Sequence, residues 1–264
     1  MARLHALHSS HAALDEPFVR RIGPADLWDA LVDGVDDFKA MPTHAFFIAL
    51  IYPVLGLVLA GVILGYDVMP LLFPIMSGFA LIGPFAAIGL YELSRLREDG
   101  EAFSWAHMTG MLRSPVIGSI VALGLLLLII FIVWLTTAGL LYRTAFGAAE
   151  PASASDFLTQ VFGTRRGWTM IVAGNLLGLV FSAVALAVSV VSFPLLLDRN
   201  VSAATAVRTS IRAVAVNPGP MALWGVIVAG ALVVGFLPLF LGLAVVLPIL
   251  GHATWHLYRR VVSP

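Results

Sequence analysis

Two histidines, His252 and His256, stand four residues apart beside Trp255 and Tyr258. At that spacing both imidazoles leave one helix face, where they could share a metal ion or ligate a haem iron. Haem–copper chemistry needs further histidines inside other spans, and the only ones near are His44, at the edge of a span, and His107, in a loop. The sequence Tyr258-Arg259-Arg260 that follows reads instead as an interfacial anchor with its aromatic belt. No metal and no cofactor is therefore expected, with His252 and His256 kept as the candidates should one bind. Glu92 and Asp198 are the acids closest to the hydrocarbon, and an ionisable group there is a functional hypothesis by default. Arg95 lies one turn from Glu92 and Arg199 adjoins Asp198, so each pair is expected to close the end of a span. The sharper alternative is a proton or cation relay that enlists His252 or His256. Asn175 is an amide deep in a span, expected to bond a neighbouring helix rather than a substrate. His5, His8 and His11 form a weak tract in a segment with the composition of a disordered terminus.

Enzyme signatures are missing. The sequence contains no Gly-x-Ser-x-Gly, no Walker-type Gly-Lys-Ser/Thr and no His-Glu-x-x-His. A non-enzyme is the expectation.

The elements that must position these side chains are set by composition. The chain has 264 residues, of which 60% are hydrophobic and 11% charged, with zero net charge, no cysteine and a mean hydropathy of +0.97. A soluble domain carries about 25% charged residues, so a water-soluble globule is excluded. Disorder requires the opposite balance. Without cysteine there is no disulfide scaffold, iron–sulfur cluster or thiolate metal site. Neutrality gives no reason to expect nucleic acid, and the lipid bilayer is the first partner. The expected class is all-α, a polytopic bundle of membrane helices.

Spans of about 20 apolar residues are expected at 45–65, 69–91, 116–142, 168–197, 221–237 and 239–258. The last two are separated by Pro238, and a tight hairpin at Phe236-Leu237-Pro238 divides a stretch too long for one crossing; a re-entrant piece is the alternative there. Residues 1–24 are expected to be a flexible terminus and 25–260 a single membrane domain. No signal peptide is visible, because residues 1–40 mix basic and acidic side chains without an apolar core. With six spans, twelve Lys and Arg fall on the side of the termini and three, Arg143, Arg165 and Arg166, on the other. That bias places both termini in the cytoplasm.

Three polar stretches have helical spacing and are expected to lie in the headgroup plane or against the spans. In 26–41 the apolar stripe is Leu27, Leu31, Val35 and Phe38, with Asp29, Asp33, Asp36 and Asp37 on or near the other face. In 202–216 it is Val207, Ile211 and Val214, and in 104–113 it is Trp105, Met108 and Leu112. A parallel internal repeat of roughly 100 residues is also expected on this pattern: span, acid and arginine, short helix, Pro, span. Gly174 and Gly178 have a small-xxx-small spacing that permits close helix approach.

Four strings carry a resemblance. They are Gly78-Phe79-Ala80-Leu81-Ile82-Gly83-Pro84 with Gly89-Leu90-Tyr91-Glu92-Leu93-Ser94-Arg95, then Val191-Ser192-Phe193-Pro194-Leu195-Leu196-Leu197-Asp198-Arg199. The others are Asn217-Pro218-Gly219-Pro220 with Trp224, and the run Gly251 to Arg260. Together, from about Ile22 to Arg260, they resemble the bacterial family of integral membrane proteins called domain of unknown function 2189. The resemblance implies an inner-membrane protein and carries over no activity, substrate or catalytic residue. The cytochrome-oxidase-like names that some members have borne imply a respiratory association as one alternative.

Three functions are thus weighed. The first is a non-catalytic accessory or assembly partner of a membrane complex. The second is a small-solute or ion transporter, and the third a respiratory oxidase-associated or haem-bearing subunit.

Overall fold

The computed structural model describes residues 17–41, 74–75, 83–84, 87–101, 114–147, 153–238 and 241–263. The expected first span 45–65, most of the second, the helix 104–113 and His5, His8, His11, His44 and His107 lie outside them. Among the described residues nine helices form and no strand. In chain order they are α1 (Pro24–Ala40), α2 (Ile88–Glu98), α3 (Ile117–Phe146), α4 (Ala154–Gly163) and α5 (Arg165–Ser189). They continue with α6 (Ser192–Asp198), α7 (Ala203–Val216), α8 (Pro218–Phe236) and α9 (Leu243–Val261).

Among the described residues three stretches are long and apolar enough to cross a membrane: Ile117–Phe146, Arg165–Asp198 and Pro218–Phe236. At 1.5 Å per residue α3 is about 45 Å long, longer than the hydrocarbon is thick, so it reaches past or tilts through the bilayer. It packs antiparallel on α5. Gly178 sits 3.4 Å, at its ideal Cβ position, from the Trp134 ring, and Gly174 sits 3.5 Å from Leu141, so both glycines face α3. Trp134 is itself buried mid-helix and donates its indole N–H to the Pro74 carbonyl (2.9 Å).

The α5–α6 break has a local cause. Ser189 and Ser192 bond back to the carbonyls of Ala185 and Val188, an interaction that bends helices, and Pro194 has no N–H to offer. The backbone N–H of Val191 donates across to Ser210 of α7 (3.2 Å). That bond shows how α7 is used. Its buried residues are Ala206, Thr209, Ser210 and Ala213, whereas Ile211 is exposed and Val207 and Val214 are only half-buried. Of the expected Val207–Ile211–Val214 stripe, Ile211 faces outward, while Val207 and Val214 pack at the edge of the core. Small and hydroxyl side chains win the contact because they let α7 approach the broken helix.

α9 takes up most of the expected sixth span, 239–258. It begins at Leu243, runs to Val261 and is not among the three membrane-crossing candidates, because His252, His256, Arg259 and Arg260 dilute its apolar character. α8 and α9 form an antiparallel hairpin in which Gly235 and Gly242 meet. A Cβ on Gly235 would lie 2.6 Å from the Leu243 side chain, and one on Gly242 2.9 Å from the Gly235 carbonyl. The far half of α9 is a core element, with Ala253, Trp255, Leu257 and Tyr258 all buried.

α1 lies along α9 in the most extensive helix–helix contact of the described residues. Pro24 opens it at a position where the missing N–H costs nothing, and Asp26 in the first turn accepts the Gly23 N–H (2.7 Å). Its buried line is Leu27, Ala30, Gly34 and Asp37. This corrects the sequence expectation, which put Asp37 on or near the polar face. Leu31, Val35 and Phe38 are half-buried, and Trp28 and Val32 are exposed. Gly34 decides the register, because a Cβ there would sit 2.6 Å from the Ala253 backbone nitrogen.

The segment before α1 is also tied down, although it falls in the stretch 1–24 expected to be flexible. Val19 and Val262 form an isolated antiparallel bridge, with Arg20 N–H to Val261 O (2.8 Å) and Ser263 N–H to Phe18 O (3.0 Å).

Candidate functional site

The elements above bring one end of the bundle together: the start of α3, the ends of α2, α6 and α9, the start of α8, and α1. At that end the charged side chains form two connected clusters.

The first is centred on Asp37, buried under α1. Its carboxylate accepts the Ser94 hydroxyl (2.6 Å), His256 Nε2 (2.8 Å) and the Arg97 guanidinium. Ser94 also touches His252 Nδ1 at 2.7 Å. With the Ser94 proton committed to Asp37, Nδ1 of His252 is the donor in that contact and Nε2 carries the lone pair. His252 is wholly buried, and its Nε2 has no hydrogen-bond partner among the described residues. Burial pushes the Asp37 carboxyl up. The hydrogen bonds from His256 and Ser94, the His256 charge and the Arg97 bond outweigh that and hold it at about 2. The Asp37 charge is therefore built into the folded state.

The second cluster is centred on Arg259. Its guanidinium bonds Glu98 at 2.9–3.1 Å and Asp198 at 3.3 Å, and lies 5.7 Å over the Trp255 ring. Trp255 donates its indole N–H to Glu98 (3.1 Å), and Tyr258 donates its hydroxyl to Asp198. Burial disfavours the charge on Arg259, yet the two carboxylates raise its pKa above the usual arginine value. Arg260 bonds Asp33 (2.7 Å), adding a second tie between α9 and α1 beside His256–Asp37.

The sequence-derived candidates fall as follows. Glu92 is buried and forms a two-pronged bond with Arg95 (2.9 and 2.6 Å), which raises the Arg95 pKa. Asp198 does contact Arg199, at 3.5 Å, but Tyr258 and Arg259 bind it in addition, and Arg199 turns to the Ser263 carbonyl. Asn175 is exposed and bonds Ile171 O of its own helix (2.8 Å), not a neighbouring helix. Position i−4 is simply the nearest acceptor for a short amide facing outward. His252 and His256 do share a face, but the group they share is Asp37. Among the described residues no set of three or more His, Cys, Asp or Glu side chains is placed to hold a metal ion.

Asp37, Ser94, Arg97 and Glu98 were not singled out from sequence. The available signal was spacing: Leu27, Ala30, Gly34 and Asp37 follow one helical stripe, small at its two middle positions and ending in an acid. Asn217, quoted only as part of a string, is a further joint. Buried at the start of α8, it accepts Ile22 N–H (2.9 Å) and donates to Arg20 O (2.9 Å) and Ala213 O (3.1 Å).

Apolar crossing helices closed at one end by paired charges define a helical integral membrane protein. Residues 71–198 match the model of the family described as predicted integral membrane protein (DUF2189). The match takes in the first two of the four strings, all but Arg199, while Asn217 to Trp224 and Gly251 to Arg260 lie beyond it. No curated protein and no solved structure matches the chain.

Proposed function

We propose that the protein is a non-catalytic accessory or assembly partner of a membrane complex. It is a multi-pass protein of the bacterial inner membrane with six spans and both termini in the cytoplasm. The observation that carries this reading is the use of the charges. Asp37, Glu92, Glu98 and Asp198, the acids nearest the bundle, are each satisfied by arginine, histidine, serine, tyrosine or tryptophan at one end. Such closed pairing fixes helix ends and leaves a rigid body for another protein to hold. The cytoplasmic orientation is supported by the basic excess on the side of that charged end.

A transporter is the second reading. The pairing of α2 with α6 through Glu98, Arg259 and Asp198 favours it, because those helices occupy equivalent places in the parallel repeat. The Glu92 and Asp198 relay would belong to this reading. A haem-bearing or oxidase-associated subunit has only His252 and His256 behind it, and both imidazoles already face Ser94 or Asp37.

Affinity purification from native membranes in mild detergent, with mass spectrometry and a visible spectrum on one sample, tests these readings. Stoichiometric co-purification of other membrane subunits with no Soret band is expected. A partner-free colourless protein that moves solutes in proteoliposomes would overturn the accessory role, and a Soret band would establish the third reading.

A further inference from the structure

We propose that α4 is a membrane-interface anchor, a helix lying in the headgroup plane at the end of the bundle opposite the charged end, with lipid as its partner. The chain fixes its location, since α4 joins the C-terminal end of α3 to the N-terminal end of α5, and those two helices are antiparallel crossing candidates. Its two ends are formed locally. Ser153 caps α4 by accepting Asp156 N–H (3.1 Å), and Thr164 caps α5 by accepting Gly167 N–H (3.0 Å). A Cβ on Gly167 would lie 2.0 Å from the Val161 carbonyl oxygen, so the corner between α4 and α5 is closed as tightly as a backbone allows.

The inner side of α4 is Val161, buried. The outer side divides in two: Leu158 and Phe162 stand one turn apart at 52% and 56% exposure, and Ser155 and Thr159 lie beside them. Phe162 meets Trp168 edge-on with ring centroids 6.4 Å apart, and Trp168 donates its indole N–H to the Phe162 carbonyl (3.0 Å). From Trp168, 55% exposed, the apolar surface runs down α5 through Val172, Leu176 and Leu179. Leu158, Phe162 and Trp168 therefore continue the face by which α5 meets the hydrocarbon. An exposed tryptophan at a span end matches what the membrane–water boundary selects. A short helix with apolar and hydroxyl halves lies in that plane. This inference requires only that the protein is membrane-embedded, not the accessory role.

The cysteine-free chain permits single spin labels without a background. Full-length protein carrying Leu158→Cys, Phe162→Cys, Ser155→Cys or Thr159→Cys is labelled and reconstituted in phosphatidylcholine–phosphatidylglycerol vesicles. Collision with oxygen, which partitions into lipid, is compared with collision with a water-soluble nickel chelate. Labels at 158 and 162 are expected to favour oxygen several-fold and those at 155 and 159 to favour nickel. Nickel preference at 158 and 162 would overturn the proposal by placing α4 in water. Shielding from both reagents would overturn it in favour of a second copy covering the face. Should a labelled variant fail to fold, lipids brominated near the headgroup give the second measurement. They are expected to quench a tryptophan component that Trp168→Phe abolishes, and an unchanged quenching profile refutes the anchor.

Discussion

Glu98 and Asp198 hold the same guanidinium: Arg259 reaches Glu98 at 2.9 Å and Asp198 at 3.3 Å. The two acids end α2 and α6, helices that also pack on each other, so Arg259 from α9 locks three chain segments at one point. Hydrogen bonds to charged groups contribute about 1.5–3 kcal/mol each when partly shielded, and members of one network are not additive. Arg259→Ala is expected to lower stability in detergent by about 2 kcal/mol. Glu98→Gln should cost markedly less in that background than in the native protein. Additive losses in a double-mutant cycle of thermal unfolding would show that the two carboxylates act separately.

The Asp37 carboxyl makes the same end sensitive to acid, with a definite sign. Its folded pKa of about 2 lies below the ordinary aspartate value of 3.8. A depressed acid contributes stability that is fully present above the unfolded pKa and is lost as pH falls through the folded one. The difference amounts to about 2 kcal/mol at neutral pH. Unfolding measured from pH 6 down to pH 2 is therefore expected to weaken chiefly below pH 4. Asp37→Asn is expected to be less stable at neutral pH and to show a flatter profile through the acid range. A slope unchanged in Asp37→Asn would assign the acid sensitivity elsewhere.

What the sequence made legible was governed by hydrophobic length. The helix α3, the pair α5 and α6 taken together, and α8 are set by runs of apolar residues with no alternative in water, and their positions agree with the expected spans to within about four residues, although the break between α5 and α6 was not expected. Where the energy is shared between helices, spacing alone misleads. The α1 stripe was assigned by size, through Leu31 and Val35, but Gly34 and Ala253 allow backbone approach and turn the helix so that Ala30 and Asp37 face inward. For α7 the same preference for small residues put Ile211 outside. His252 and His256 were legible as a pair because they lie on one helix. Their partner Asp37 was not, since it arrives from a helix distant in sequence.

Asn217 supplies a test of how the N-terminal segment is held. Its buried amide satisfies the Ile22 N–H and the Arg20 carbonyl together, so Asn217→Ala leaves both without that partner. Unsatisfied groups of this kind cost about 1–3 kcal/mol. Hydrogen exchange at residues 18–22 is expected to rise well above that of the native protein, with α3 and α5 protected as before. Equal protection of the segment in both proteins would mean that the Val19–Val262 bridge alone holds it.

Gly34 is the position at which α1 has least freedom. A side chain there must displace Ala253 backbone, since the nearest atom would lie 2.6 Å from Cβ, and overpacking a fixed contact costs about 1–3 kcal/mol. Separation of α1 from α9 also pulls Asp37 from His256 and Asp33 from Arg260, so the loss should exceed the steric term alone. Gly34→Val is expected to undock α1, making it the first site cut by limited proteolysis, while the crossing helices stay folded. Pairing Gly34→Val with Ala253→Gly should not restore the protection, because the Ala253 backbone nitrogen and Cα would still lie 2.6 and 2.8 Å from the new Cβ. If the single variant resists protease as the native protein does, the close approach of α1 and α9 is not what holds the charged end together.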